Sequence, residues 1–571
     1  AMPTCFRNSG LRVLLLALLA PYGSSESIAL SSWGGFVSHG FVAGAIGQRL
    51  AERGHDVTVV AWTHEVEHLR NEYPDIKFAT FDFRLDKAVA NLGLDDIPIG
   101  VNITKDSYKH FASYIFGLND PVESITQAYR AAAEVCLHVL SFPDVQKAYK
   151  SADLHIVDRS NPCSLMAAYI FGLEKKVLAY TPVGTVNSFL DLGPVSAATV
   201  PAFSTRSTPK SLGFLKSLPN FFEGIILRRL ALPEIAKQFC KHYLPTWIEK
   251  HGPIAVRRRV QKDTVNFDVA LCSTGALNRH ISEYTAYEIV LSEPPLEFNQ
   301  PFWSNVKLVG HPLSKAPEPL KQDHTGIKEF VESSSESGGF VLVSLGSVTF
   351  LSPEKKKKLA LGLSSISPLK VIWKVTGEFP DQSLYDPNQI KVVSWMPQND
   401  LLGHPNCRLF VSHCGMNSIQ EAAFHGVPIL GIPLGGDQVD NIYRPIARGF
   451  AMEINQATFT VDILNDALAK MLSDDSFKSN ALLVSKSLKA HPRHSLDRIA
   501  DWAERTLVTD IYLDLNPRER YMAYWRMAIP DIIICGSTVI VFFGLMYATM
   551  LCVSKLSSWI VGTKAPKMKS S

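Results

Sequence analysis

An α/β fold in two open-sheet domains, followed by one C-terminal transmembrane helix, is predicted by three stretches of the sequence. Near the start, SIALSSW, GGFVSHG and FVAGAIGQRLAERG read as strand, glycine-rich turn and helix. Gly54 stops that helix, and HDVTVVAW is the next strand. After a proline-rich stretch, GGFVLVSLGSVTF opens a second unit of the same kind. Ile532 to Val553 then runs 22 residues without a charge, long enough to cross a bilayer.

The chain has 571 residues, too many for one domain. Its net charge of +3 is small for that length, and no basic stripe carries interleaved aromatics, so nucleic acid is excluded as the expected partner. Residues 1–27 read as a signal peptide: Arg7 and Arg12 flank a Leu/Ala-rich run, and small residues follow around Gly23 to Ser27. A first buried strand or helix is the alternative for that segment. Tyr524 and Trp525 precede the apolar run at a position suited to a membrane interface, and Lys555, Lys564, Lys567 and Lys569 follow it with no acid among them. The expected arrangement is a luminal body, one crossing and a short cytosolic tail from 554 to 571. The ending KMKSS resembles the dilysine retrieval signal of endoplasmic-reticulum membrane proteins; a plain basic stop-transfer tail is the competing reading. Nine cysteines show no metal-ligand spacing and no disulfide framework. Asn102-Ile103-Thr104 is an acceptor for N-glycosylation, consistent with a luminal body.

The most informative stretch is the 44 residues from Trp395 to Gln438. CRLFVSH reads as an apolar strand, CGM as a turn, NSIQEAAFHG as a helix ended by Gly426, and VPILGIPL as a second strand. Strand, glycine turn and helix N-terminus form an anion site, because unpaired backbone N–H groups and the positive dipole end point the same way. His413, Asn417 and Ser418 add side-chain donors there. Ser418-x-x-Glu421 is alternatively a capping box, which needs no ligand. Trp395 follows the strand-like KVVS and could stack on a base. Asp437 and Gln438 follow a strand end and a Gly-Gly turn, so they are expected to project from a loop at the sheet edge where ligands gather in open α/β sheets.

This stretch resembles the signature of the UDP-glycosyltransferases. WMPQNDLLGHP is similar to the membrane-bound animal enzymes that include the UDP-glucuronosyltransferases, and HCGMNS to the plant form of the signature. The resemblance implies the GT-B arrangement: two Rossmann-like domains facing a cleft, the first holding the acceptor and the second the UDP-sugar. It implies that Trp395 stacks on uracil with Gln398 beside it, and that His413, Gly415, Asn417 and Ser418 surround the diphosphate. It further implies that Ser347 lies near the phosphates, that Glu421 binds ribose hydroxyls, and that Asp437 with Gln438 binds the sugar.

Two further residues carry the expected chemistry. His39 sits in the SHG turn after the first strand; from context alone it could be a surface histidine, but the resemblance makes it the catalytic base. Asp158 ends the strand-like segment Asp153 to Val157. It could be a turn or a helix cap, whereas the resemblance makes it the group that orients the base. Between Pro194 and Phe239 an apolar stretch dotted with Lys and Arg reads either as a core excursion or as the lining of an apolar acceptor site or membrane-resting surface.

The expected organisation is a signal peptide over 1–27, an acceptor domain over 28–292, a linker over 293–322 and a UDP-sugar domain over 323–491. Helices returning to the first domain and a juxtamembrane segment fill 492–531, with the transmembrane helix over 532–553. The expected reaction is inverting transfer of a hexosyl or glucuronosyl group from a UDP-sugar to a hydroxyl of a small lipophilic acceptor. UDP-sugar is a co-substrate, and neither cofactor nor metal is expected, because the chain contains no Asp-x-Asp. The bilayer is the other expected partner, with a homo-oligomer as a possible assembly. A glycolipid glycosyltransferase acting on sterol or ceramide is a variant of this reading. A nucleotide-dependent oxidoreductase would need the G-x-G-x-x-G fingerprint that is missing after the first strand. A non-catalytic UDP-sugar-binding subunit would tolerate loss of His39 or Asp158, and both are present.

Overall fold

The computed structural model describes residues 25–32, 37–82, 139–159, 164, 167, 171, 176–182, 285–300, 302–322, 325–346, 351–375, 377–435, 437–508 and 524–562. Ser347, Asn102, the 194–239 stretch, most of the signal segment and the end of the tail lie outside them.

Two parallel sheets organise the chain. The first contains β1 (Ser27–Ser31), β2 (Asp56–Trp62), β3 (Lys77–Phe81), β4 (Leu154–Asp158), β5 (Lys176–Thr181), β6 (Thr285–Val290) and β7 (Val306–Leu308), in the order β3-β2-β1-β4-β5-β6-β7. The helices described beside it are α1 (Val37–Glu52), α2 (Thr63–Glu72) and α3 (Pro143–Ser151). LHIVD and TAYEIV are buried at every residue, as strands covered on both faces by helices require. The strand β7 falls inside 293–322, the segment expected as linker. It pairs with β6 from Val306 to Leu308, so that part of the segment completes the first sheet.

The second sheet contains β8 (Phe340–Ser344), β9 (Lys370–Lys374), β10 (Ile390–Val393), β11 (Cys407–Ser412), β12 (Ile429–Gly431) and β13 (Ala451–Glu453), in the order β10-β9-β8-β11-β12-β13. Its helices are α4 (Ile327–Glu332), α5 (Pro353–Ser364), α6 (Gln398–Gly403), α7 (Met416–His425), α8 (Gln438–Asn441), α9 (Tyr443–Ala447), α10 (Val461–Ser473) and α11 (Asp475–Lys489). Asp474 separates α10 from α11, and its carboxylate caps α11 by accepting from the Ser476 N–H.

The next helix, α12 (Ser495–Val508), leaves this domain. Ile499, Ala500 and Ala503 join the core of the first sheet beside Ile46, Leu50 and Tyr287. Arg53 at the end of α1 bonds Asp497, Asp501 and Glu504 of α12, which clamps the two helices together. The last helix, α13 (Tyr524–Gly562), is 39 residues long, and its window Ile540–Ser557 is apolar enough to cross a membrane and is nowhere buried by protein.

Both sheets reverse direction of growth once, between β1 and β4 in the first and between β8 and β11 in the second. Such a switch point leaves a crevice at the carboxyl ends of the strands, where open α/β sheets bind ligands.

Candidate active site

The first switch point holds His39 and Asp158. The helix α1 begins at Val37, so His39 occupies its first turn and not the preceding loop where the glycine run suggested it. The loop expectation failed because the two glycines lie before Val37, and Gly40 is accommodated inside the helix. Asp158 is the last residue of β4 and is fully buried. His39 Nδ1 lies 2.6 Å from Asp158 Oδ2, so this carboxylate fixes the orientation of the ring. Burial lowers the pKa of His39, but the charge and hydrogen bond of Asp158 outweigh it, helped by Asp437 and Glu65, and the net shift is upward. Asp437 belongs to the second domain, so the carboxyl edges of the two sheets face each other across His39. Burial in turn raises the pKa of Asp437, opposed first by its bond from Asn441 and then by His39.

The second switch point holds the residues expected to form the anion site. His413 follows β11, and the turn to α7 passes through Cys414 at φ +69°, a left-handed conformation uncommon for a side chain-bearing residue. The Ser412 hydroxyl accepts from the Cys414 N–H at 3.0 Å, and Asn441 Nδ2 reaches the Cys414 carbonyl at 3.3 Å, which together hold the turn. The His413 ring is wedged between two glycines. A Cβ on Gly415 would stand 2.6 Å from His413 Nε2, and one on Gly346 would stand 3.2 Å away. His413 Nδ1 is buried with no hydrogen-bond partner among the described residues. Burial pushes this histidine down to about 4, Lys374 adding to the effect, so it is neutral.

No side chain caps α7, whose N-cap is Gly415. Ser418 lies inside the first turn, so Ser418-x-x-Glu421 is not a capping box. Gln398 at the start of α6 instead bridges the pair, donating from Nε2 to Ser418 Oγ at 3.2 Å and to Glu421 Oε2 at 2.6 Å. Among the described residues no capping side chain takes up the first N–H groups of α7, which lie at the positive end of its dipole. Burial pushes the Glu421 carboxyl up to about 7, against the Gln398 bond and Lys374. Trp395 lies just beyond β10, shortly before α6, with 56% of its surface exposed.

Gln438 differs from the loop expectation, because it opens the short helix α8, while Asp437 is the turn residue just before that helix. Asp437 Oδ2 accepts from Asn441 Nδ2 at 2.6 Å, and Gln438 Oε1 accepts from the Leu434 N–H at 2.9 Å, which leaves the Gln438 amide NH₂ directed away from that bond. The four-residue helix was hidden by the Gly-Gly pair, which reads as turn.

Three residues of this region were not singled out from sequence. Lys374, the last residue of β9, acts electrostatically on both His413 and Glu421; its strand-end position was the available signal. Glu65, buried in α2, acts on His39. His311 reaches Asn417 from a segment 106 positions earlier, which no local pattern reveals.

Comparison with known proteins gives the family and the fold. The family model described as "UDP-glucoronosyl and UDP-glucosyl transferase" matches residues 256–557, more than half of the chain. The chain belongs to that family. It is 31% identical over 409 residues to 2-hydroxyacylsphingosine 1-beta-galactosyltransferase of Mus musculus, a match spanning 71% of this chain and 69% of the relative. It is 27% identical over 580 residues to UDP-glucuronosyltransferase 2B9 of Macaca fascicularis, spanning 98% of each. Among solved structures, the glycotransferase of kitacinnamycin superposes with a TM-score of 0.55 at 17% identity, over 85% of this chain and 100% of that one. UDP-glucose: anthocyanidin 3-O-glucosyltransferase in complex with UDP gives 0.54 at 16% identity, over 85% and 99%. At such identities the superpositions establish the GT-B fold of two parallel-sheet units. This UDP-glycosyltransferase is an enzyme that moves a sugar from a UDP-sugar to an acceptor.

Proposed function

We propose that this UDP-glycosyltransferase performs inverting, metal-independent transfer of a hexosyl or glucuronosyl group to a hydroxyl of a small lipophilic acceptor, with His39 as base. The observation that carries the reading is the 2.6 Å contact of His39 Nδ1 with buried Asp158 at the first switch point, with Asp437 of the second domain close enough to act on the same ring. With Nδ1–H donating to the Asp158 carboxylate, the tautomer is fixed and Nε2 is the nitrogen that would take the acceptor's proton. As the acceptor oxygen bonds to the anomeric carbon, its proton passes to Nε2 and the bond from that carbon to the diphosphate oxygen breaks. The electron pair leaves with UDP. Attack opposite the leaving group inverts the anomeric centre.

The developing charge on the diphosphate needs donors already in place. The uncapped start of α7, Asn417, Ser418 and the neutral His413 supply them; Lys374 contributes positive potential. Trp395 offers a stacking face for the uracil, Gln398 and Glu421 suit the ribose side, and Asp437 with the Gln438 amide suits the sugar hydroxyls. The absence of Asp-x-Asp from the sequence supports a mechanism in which these groups do what a metal does elsewhere. A lipophilic acceptor is supported by the relative named for galactosyl transfer to a hydroxyacylsphingosine. Membrane anchoring through α13, with a luminal body in the endoplasmic reticulum, is supported by the apolar window Ile540–Ser557 and the lysines after it.

The test uses detergent-solubilised full-length protein. A panel of UDP-sugars is screened for thermal protection, and transfer to lipophilic alcohols is then measured with His39→Ala alongside. Turnover should fall roughly 100-fold or more while UDP affinity barely changes. Near-normal turnover by His39→Ala would assign the base elsewhere.

A further inference from the structure

The segment after β7 carries a histidine that the catalytic scheme does not use. His311 is buried, and both of its ring nitrogens are engaged: Nε2 lies 3.1 Å from Asn417 Oδ1, and Nδ1 lies 3.0 Å from Ser314 Oγ. An amide oxygen only accepts, so Nε2 carries the proton; Nδ1 then accepts from the Ser314 hydroxyl. Burial pushes this histidine down to about 4, in keeping with that neutral tautomer.

The consequence falls on Asn417, in the first turn of α7. With Oδ1 held by His311, its Nδ2 must face the other way, and an anion at this helix start needs donors. A flipped amide would turn Oδ1 toward the phosphate oxygens, exchanging attraction for repulsion. The same segment is gripped on its other side by the start of α12. Ser495 Oγ donates to the His311 carbonyl at 2.8 Å, and His494 Nε2 lies 3.3 Å from the Ser314 carbonyl. Because α12 is packed into the first domain, the amide of Asn417 in the second domain is set by a chain of bonds that begins in the first.

We propose that His311 is a positioning residue that holds the Asn417 amide with its NH₂ toward the donor's diphosphate, so that the docking of α12 and the diphosphate affinity of α7 are linked. This rests on the reading of α7 as the diphosphate site. A purely structural histidine would lower stability and all ligand binding alike. A positioning histidine should affect phosphate recognition and spare the nucleoside.

The experiment measures UDP and uridine binding to the solubilised full-length protein by thermal protection and competition. The variants are His311→Ala, His311→Phe, His311→Gln, Asn417→Ala and the double variant His311→Ala with Asn417→Ala. His311→Phe keeps ring volume without a donor, so the test stands even where the alanine variant folds poorly. UDP affinity should fall about tenfold in His311→Ala and His311→Phe, with uridine unchanged, and His311→Gln, which keeps an N–H donor, should recover most of it. The double variant should bind UDP no worse than Asn417→Ala alone, because the histidine acts only through the asparagine. Additive losses in the double variant, or equal losses of UDP and uridine, would overturn the proposal. If UDP failed to bind the unaltered protein, the diphosphate site itself would be refuted and this inference with it; that outcome is distinct from normal UDP binding that His311 variants leave untouched, which overturns the inference alone.

Discussion

On the proposed mechanism, in which Asp158 orients the base His39, Asp158→Asn isolates that carboxylate from everything else at the site. The amide keeps the size of the side chain but removes its charge, and it can present an NH₂ where His39 Nδ1–H now donates. A buried hydrogen bond to a charged group contributes about 2–3 kcal/mol, which at 1.36 kcal/mol per factor of ten corresponds to roughly 30- to 160-fold in the proton-transfer step. The loss should appear in single-turnover transfer at saturating UDP-sugar and acceptor, with UDP affinity unchanged, because none of the α7 donors is touched. The pH profile supplies an independent sign. His39 must be neutral to act as base, and its pKa lies above the ordinary 6.5 because Asp158 outweighs burial. The unaltered enzyme should therefore lose activity as pH falls through a value above 6.5. In Asp158→Asn the two main raising influences disappear while burial remains, so the acid limb should move to lower pH although the plateau drops. A variant with less than a threefold loss and an unmoved acid limb would refute the assignment of Asp158 as partner of the base.

Three further predictions follow from the packing and the chemistry. Gly415→Ala puts a Cβ 2.6 Å from His413 Nε2 and should cost about 1–3 kcal/mol of stability while weakening UDP protection, read by melting with and without UDP. Arg53→Ala removes the centre of the α1–α12 clamp; with all its partners partly exposed, the loss should be only about 1–2 kcal/mol, and faster amide exchange in α12 than in α10 should localise it. Exhaustive EDTA treatment should leave transfer largely intact, and complete loss restored by manganese alone would sink the metal-independent mechanism.

Much of this organisation was legible because parallel α/β sheets write themselves as buried apolar runs between helices. β1, β2, β4, β8 and β11 were all visible as such runs, and the residues placed just after them are those at the switch points. What escaped was set by tertiary pairing. β7 has only three residues, Val306 to Leu308, in a proline-rich context, and its identity depends on β6 lying alongside. The helical position of His39 was masked by glycines that suggested a turn. The capping-box pattern at Ser418 and Glu421 was locally correct in composition, yet Gln398 from another helix claims both side chains. His311 and Asn417 meet only because the chain crosses between domains. Local periodicity carries no information about such a meeting.

The return of α12 to the first domain also decides which half of the enzyme is on the leash. The chain leaves α12 at Val508 and enters α13 at Tyr524, so the 15 residues 509–523 are all that separate the first sheet from the apolar helix. Even fully stretched, that span reaches only about 50 Å. With α13 in a bilayer, the domain that carries His39 is moored within that radius of the lipid surface. The UDP-binding half hangs from it at one remove. On the proposed function, an acceptor partitioned into the membrane would approach His39 by diffusing in two dimensions beneath a tethered domain, rather than by a search through the bulk.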